Sequence, residues 1–161
     1  MVLAAIDPPR ETELRGLLAS MNDAPGRMNA ENALIPFAQF DTLHFARFVI
    51  LDDKTLEDVR VYGLPVRTYP LYLAFLGDID GDLNDFLGKL VKQAEKGLRS
   101  IFSCCAGFMA DTDLVEWMKR HSVPVIANYV NCRGRTVRRI REAAALKKAL
   151  EEHLQSHAPA L

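Results

Sequence analysis

Two aspartates set between glycines, Gly77-Asp78-Ile79-Asp80-Gly81, form the stretch of this chain whose residue types and spacing best suit proton handling. A carboxylate positioned beside a bound molecule can give or take a proton, and the flanking glycines let the backbone adopt angles closed to other residues. Glycine and aspartate are also ordinary turn and cap residues. His44 lies in an apolar stretch, where an imidazole can act as a base, ligate iron or be satisfied by a hydrogen bond in the core. Arg47 in the same stretch must be paired or face a cavity, where it would hold negative charge. Tyr72 and Tyr129 can carry a hydroxyl into a cavity or pack at half-buried sheet positions. Asp80, Arg47, His44 and Tyr129 are the candidate catalytic set: Asp80 for protons, Arg47 for negative charge, His44 and Tyr129 to orient a substrate.

Other groups carry less chemistry. Cys104, Cys105 and Cys132 include no Cys-x-x-Cys unit, and adjacent cysteines on a helix point apart, so buried thiols are expected and no metal site. Arg133, Arg135, Arg138 and Arg139 crowd a helix start, where they can hold a phosphate or carboxylate or form inter-subunit salt bridges to Asp52, Asp53 or Glu57. His121, His153 and His157 fall at helix ends or in the tail.

The composition bounds the setting. A chain of 161 residues, 49% hydrophobic, suits one domain with a real core, residues 1–161. A net charge of −1 and the lack of an aromatic-basic platform argue against nucleic acid. No apolar run approaches the ~20 residues that cross a bilayer, and Met1 to Pro9 lacks a secretory pattern. Three cysteines make no disulfide framework, so a reduced, cytoplasmic setting is expected.

The elements that would position these groups follow from periodicity. Val2 to Ile6 reads as a strand, Arg10 to Met21 as a helix with Leu14, Leu17, Leu18 and Met21 on one face, and Asn22 to Asp41 as a long loop. Thr42 to Leu51 is a strand with Leu43, Phe45, Arg47, Val49 and Leu51 on one side and His44, Ala46, Phe48 and Ile50 on the other. Both faces are mostly apolar, so both should be covered, the second by another subunit. A connection with a helical turn around Leu56 to Val61 leads to a strand from Tyr72, ending in a turn at Gly77 to Gly81. A helix capped by Asp82 carries Leu83, Phe86, Leu87, Leu90, Val91, Ala94, Leu98, Ile101 and Phe102, with a kink or early end expected at Gly97. A short helix capped by Asp111-Thr112 follows, then a last strand, Val123 to Val130, with Pro124 near its start. A final helix, about 135–154, carries a stripe of Ile140, Ala143, Leu146, Leu150 and Leu154. Its arginines crowd the start and Glu151 and Glu152 the end, against the helix dipole, so acidic partners or an anion should offset them.

This order, βαββαβ with an extra short helix and a C-terminal helix, is that of a ferredoxin-like α+β unit with a four-stranded antiparallel sheet and a core over 2–131. On element order and the two-faced strands, the chain resembles the dimeric α+β barrel superfamily. That resemblance implies a homodimer whose open sheet faces close a barrel around a small, largely apolar or anionic ligand, with oxidoreductase or monooxygenase-like chemistry in any enzyme. Gly77-Asp78-Ile79-Asp80-Gly81 also resembles the Gly-x-x-Asp-Gly motif of dye-decolourising peroxidases, which are built from two ferredoxin-like halves. By that resemblance haem is the cofactor and Asp80 the distal acid-base residue. Those enzymes are about twice this length, and their iron-ligating histidine and distal arginine lie outside the half this chain matches. A non-catalytic dimerisation module is the competing class.

Overall fold

The computed structural model describes residues 1–52, 60–63, 69–130 and 132–157. Asp53, Glu57 and most of the helical turn expected at Leu56 to Val61 lie outside the described residues. The fold is mixed α+β. Strands β1 (Val2–Ala5), β4 (Leu43–Leu51) and β5 (Tyr72–Ile79) form a three-stranded antiparallel sheet in the order β1-β5-β4. Between β1 and β4 come helix α1 (Glu11–Ser20) and the small hairpin β2 (Asn22–Ala24) and β3 (Arg27–Met28). Helices α2 (Leu83–Phe102), α3 (Leu114–Arg120) and α4 (Val137–His157) follow β5.

Alternation decides which strand face is buried. Val2 and Ala4 of β1, Leu73 and Phe75 of β5, and the half-buried Ala46, Phe48 and Ile50 of β4 point to the helices. They meet Leu14 of α1, Phe86, Leu90, Leu98 and Phe102 of α2, and Trp117 and Met118 of α3 in one core. Phe48 stacks on Phe75 with ring centroids 4.7 Å apart, and Phe102 lies 4.8 Å from Trp117. Asp82 caps α2 as its sequence position requires: its Oδ1 accepts from the amides of Asn84 at 2.7 Å and Asp85 at 3.1 Å, an arrangement worth about 1 kcal/mol.

The fourth strand is a correction. Val123 to Val130 forms no strand; the segment entering it meets the edge of β1 through a bridge between Val2 and Ser122 and two flanking bonds, Leu3 N–H to His121 O and Val123 N–H to Met1 O. Pro124 comes next and has no N–H to continue a ladder. Ile126 is 99% exposed. The described residues form no closed barrel. The opposite face of β4 is open, with Phe45, Arg47 and Leu51 exposed.

Three local expectations also change. β5 continues through Gly77 and Asp78 to Ile79, so the turn is narrower than expected; Gly81 takes a positive φ of 91° whereas Gly77 does not. The distortion in α2 falls at Ala94 (φ −130°), not at Gly97. Gly97 stays helical and buried because the Leu34 carbonyl lies against it. Asp113, not Asp111-Thr112, caps α3, its Oδ1 accepting the Glu116 amide at 2.9 Å.

Candidate functional site

The site begins with an irregularity in β4. Leu43 pairs with Ile79 and Phe45 with Asp78, so two steps along β4 oppose one along β5. His44 is the extra residue of a β-bulge, a device that re-aims a side chain and reverses the alternation beyond it. Leu43 therefore turns into the core at 8% exposure. His44 leaves the inner face on which regular alternation would put it. The Asp80 amide donates to Thr42 O at 2.7 Å and holds the end of β5 against this bulge.

These two backbone features bring His44 and Asp80 together. His44 Nε2 lies 3.0 Å from Asp80 Oδ1, each side chain about a quarter exposed. The second carboxylate oxygen, Oδ2, accepts the Val137 amide at 2.7 Å, at the first residue of α4. The His44 hydrogen bond, then the Val137 amide, hold the Asp80 carboxyl below its ordinary pKa. Asp80 is thus a fixed, ionised acceptor. A carboxylate accepting from Nε2–H selects the imidazole tautomer whose Nδ1 lone pair is a base, the orienting logic of His-carboxylate pairs.

A cavity of about 480 Å³ opens over the pair, lined also by Asp78, Ile79, Asn128, Tyr129, Val130, Cys132, Gly134, Arg135 and Ile140. Among the described residues its walls combine apolar side chains with a cation, Arg135, which lines the same cavity as the imidazole and carboxylates. Tyr129, 85% exposed, stands at its rim. Of the four candidates, His44, Asp80 and Tyr129 therefore share one cavity and Arg47 does not. The Arg47 guanidinium lies 5.3 Å over the Phe45 ring and borders a separate hollow of about 560 Å³ between β4, α1 and the β2–β3 hairpin. Among the described residues, no acid or imidazole lines that hollow. Tyr72 is in register with Leu51 and Ala5, at the far end of β5 from Asp80.

Cys132, Arg135 and the Val137 amide are site members that the chain order gives no reason to join to His44. The one signal in the sequence is the basic start of α4, whose charge calls for an anion; Asp80 reaches that helix end through the Val137 amide. The cysteines divide: Cys104 and Cys105 are buried, and burial raises both thiols, that of Cys105 to about 12. Cys132 is exposed, against the expectation of three buried thiols. His121 is half-buried, stacked on Trp117 at 4.0 Å. Among the described residues no His, Cys, Asp and Glu group is arranged to hold a metal ion.

Haem fits this arrangement poorly. The carboxylate that would serve as the acid-base group beside iron is committed to two hydrogen bonds, and His44 could offer Nε2 to iron only by giving up Asp80. No helix among the described residues is long and apolar enough to cross a membrane. No family model matches the chain, and neither the curated proteins nor the solved structures contain a significant match to it.

Proposed function

We propose that this chain binds a small, partly apolar anion in the cavity above His44 and Asp80, and that the pair moves a proton on that molecule. The observation that carries the reading is the double anchoring of Asp80, by His44 at 3.0 Å and by the Val137 amide at 2.7 Å. Holding an imidazole in one orientation and tautomer beside a cavity has a clear use in general acid-base chemistry. Ile79, Val130 and Ile140 supply apolar contact, and Arg135 supplies the charge that would hold a carboxylate or phosphate. In this assignment His44 is the base and Asp80 its positioning partner. Within oxidoreductase or monooxygenase-like chemistry, the pair's part is the proton and the apolar wall holds the substrate. A homodimer belongs to the same reading, supported by the exposed Phe45 and Leu51 on the open sheet face.

Benzoate, an apolar ring bearing a carboxylate, is a suitable probe. In a nuclear magnetic resonance titration, saturable shifts should centre on the His44 imidazole and the Val137 amide, and Arg135→Ala should weaken binding by about tenfold, one charge-assisted contact. Short-chain aliphatic carboxylates and phenyl phosphate extend the panel. Failure of every member to shift these resonances, or binding indifferent to both Arg135→Ala and His44→Gln, overturns the assignment.

A further inference from the structure

We propose that helix α4 and the stretch leading into it form a hinged wall of the His44–Asp80 cavity, latched shut by the bond from the Val137 amide to Asp80. The cavity is built from two parts of the chain. His44, Asp78, Ile79 and Asp80 belong to the sheet and its exit turn, and every other lining residue falls between Asn128 and Ile140. The second part is joined to the body at few points. The Val123 amide donates to Met1 O at 2.8 Å. Among the described residues, the backbone–backbone bonds that follow stay inside the wall, Arg135 N–H to Cys132 O at 3.4 Å and Ile140 N–H to Thr136 O at 3.0 Å. Val125 and Ile126 of the linking stretch are 72% and 99% exposed. The hinge therefore begins after Val123.

The helix itself is held at its start. Val137 is buried, yet neither it nor Ile140 belongs to the core that joins the sheet to α1, α2 and α3. Arg141 Nη2 reaches Ala38 O and Phe40 O at 3.4 Å, long for hydrogen bonds. Every residue from 142 to 156 is exposed, the stripe of Leu146, Leu150 and Leu154 included. The short bond is the one to Asp80 Oδ2 at 2.7 Å, and its ionised acceptor makes it the strongest of these polar contacts. A part held by one such bond and one buried side chain opens far more readily than the core. The latch is also the carboxylate that orients His44, so the closed wall and the positioned base share one group. A ligand that bridges Arg135 on the wall and His44 on the floor favours the closed form. What the wall admits rests on the small-molecule reading; its motion does not.

Thiol labelling measures this opening against global unfolding inside one molecule. In the full chain carrying Cys132→Ser and Val137→Cys, the introduced thiol is buried in the closed form, and Cys104 and Cys105 lie in the core as internal controls. Iodoacetamide should modify the introduced thiol about tenfold or more faster than Cys104 and Cys105 without denaturant. Urea should change that rate little, because local opening exposes little surface. Ile101→Val, a small loss in the core, should speed labelling of Cys104 and Cys105 and leave the introduced thiol as it was. Asp80→Ala should speed the introduced thiol about tenfold, one charge-assisted bond. Benzoate should slow it wherever it shifts the His44 resonance. Hydrogen exchange of the Val137 amide against the amides of β5 makes the same comparison in the unsubstituted chain, so the result does not depend on Val137→Cys folding. Labelling in step with Cys104 and Cys105, or indifferent to Asp80→Ala, overturns the latch. Benzoate that binds without slowing the labelling overturns closure on a ligand and leaves the ligand site standing, whereas the Asp80→Ala comparison uses no ligand and is decided without one.

Discussion

Asp80 Oδ2 accepts the Val137 amide at 2.7 Å, joining the end of a central strand to the start of a helix 57 residues later in the chain. The same carboxylate holds His44 through its other oxygen. One side chain thus ties together the β4 bulge, the end of β5 and the first turn of α4. It also places a negative charge at the amino end of α4, where a carboxylate interacts well with the helix dipole.

Removing the carboxylate should loosen α4 before it disturbs the sheet. Asp80→Ala leaves the Val137 amide and the His44 ring without their acceptor, a loss of cap type worth about 1 kcal/mol. Hydrogen exchange should be faster at Val137 and through the first turn of α4, with the β4–β5 amides at wild-type protection. Unchanged exchange at Val137 would mean that the bond is not formed in solution.

Acid should act through the same group. The Asp80 carboxyl is held below its ordinary value of 3.8, first by the His44 hydrogen bond and then by the Val137 amide. A depressed folded-state value stabilises the fold above the unfolded-state value and loses that contribution as pH falls through the folded-state one. Wild type should therefore lose stability below about pH 4 more steeply than Asp80→Asn. Parallel denaturant midpoints for the two proteins across that window would refute the linkage.

Much of this architecture is legible in the residues themselves. The periods of β1, α1, β4 and α2 give elements close to those observed, and Asp82 was recognisable as a cap by its place before Leu83. Local pattern fails where a tertiary relation decides. Val123 to Val130 has the composition of a strand, but pairing needs a neighbouring edge, and the contact with β1 stops at Pro124. Strict alternation assigns His44 to the inner face with Ala46 and Phe48; a single extra residue in the ladder moves it out to Asp80. Bulges leave no mark in hydrophobic period, so the pairing of the two candidates could not be read from either stretch alone. Arg47 is a charge within an apolar strand, and the open sheet face accommodates it without bringing it to the cavity.

Thiol labelling separates the cysteines. Cys132 is exposed beside the cavity, whereas Cys104 and Cys105 are buried, the latter with its thiol pushed up to about 12. The thiolate is the reactive form, and burial withholds both the reagent and the charge. Native protein should consume one equivalent of Ellman's reagent rapidly and two more only on unfolding, with Cys132→Ser abolishing the rapid phase. A rapid phase that survives Cys132→Ser would contradict the burial of the adjacent pair.

Two glycines of α2 should respond to alanine in opposite directions. Both substitutions gain up to about 1 kcal/mol of helix propensity. At Gly88 an added methyl group meets nothing within 4 Å, and the position is exposed, so Gly88→Ala should raise the denaturant midpoint. At Gly97 the added carbon would fall 2.0 Å from Leu34 O and 2.5 Å from Leu34 C. These are backbone atoms of the segment that seats Asn32 and Ile35, where the Asn32 side chain donates to Ile35 O at 2.7 Å and accepts the Ile35 amide at 2.9 Å. That segment can retreat only by breaking these buried bonds, so overpacking of about 1–3 kcal/mol outweighs the propensity gain. Equilibrium denaturation should therefore place Gly97→Ala below wild type and Gly88→Ala above it. A stabilised Gly97→Ala protein would show that the Asn29 to Phe40 segment does not pack against α2, and with it would go the account of why this helix carries a buried glycine.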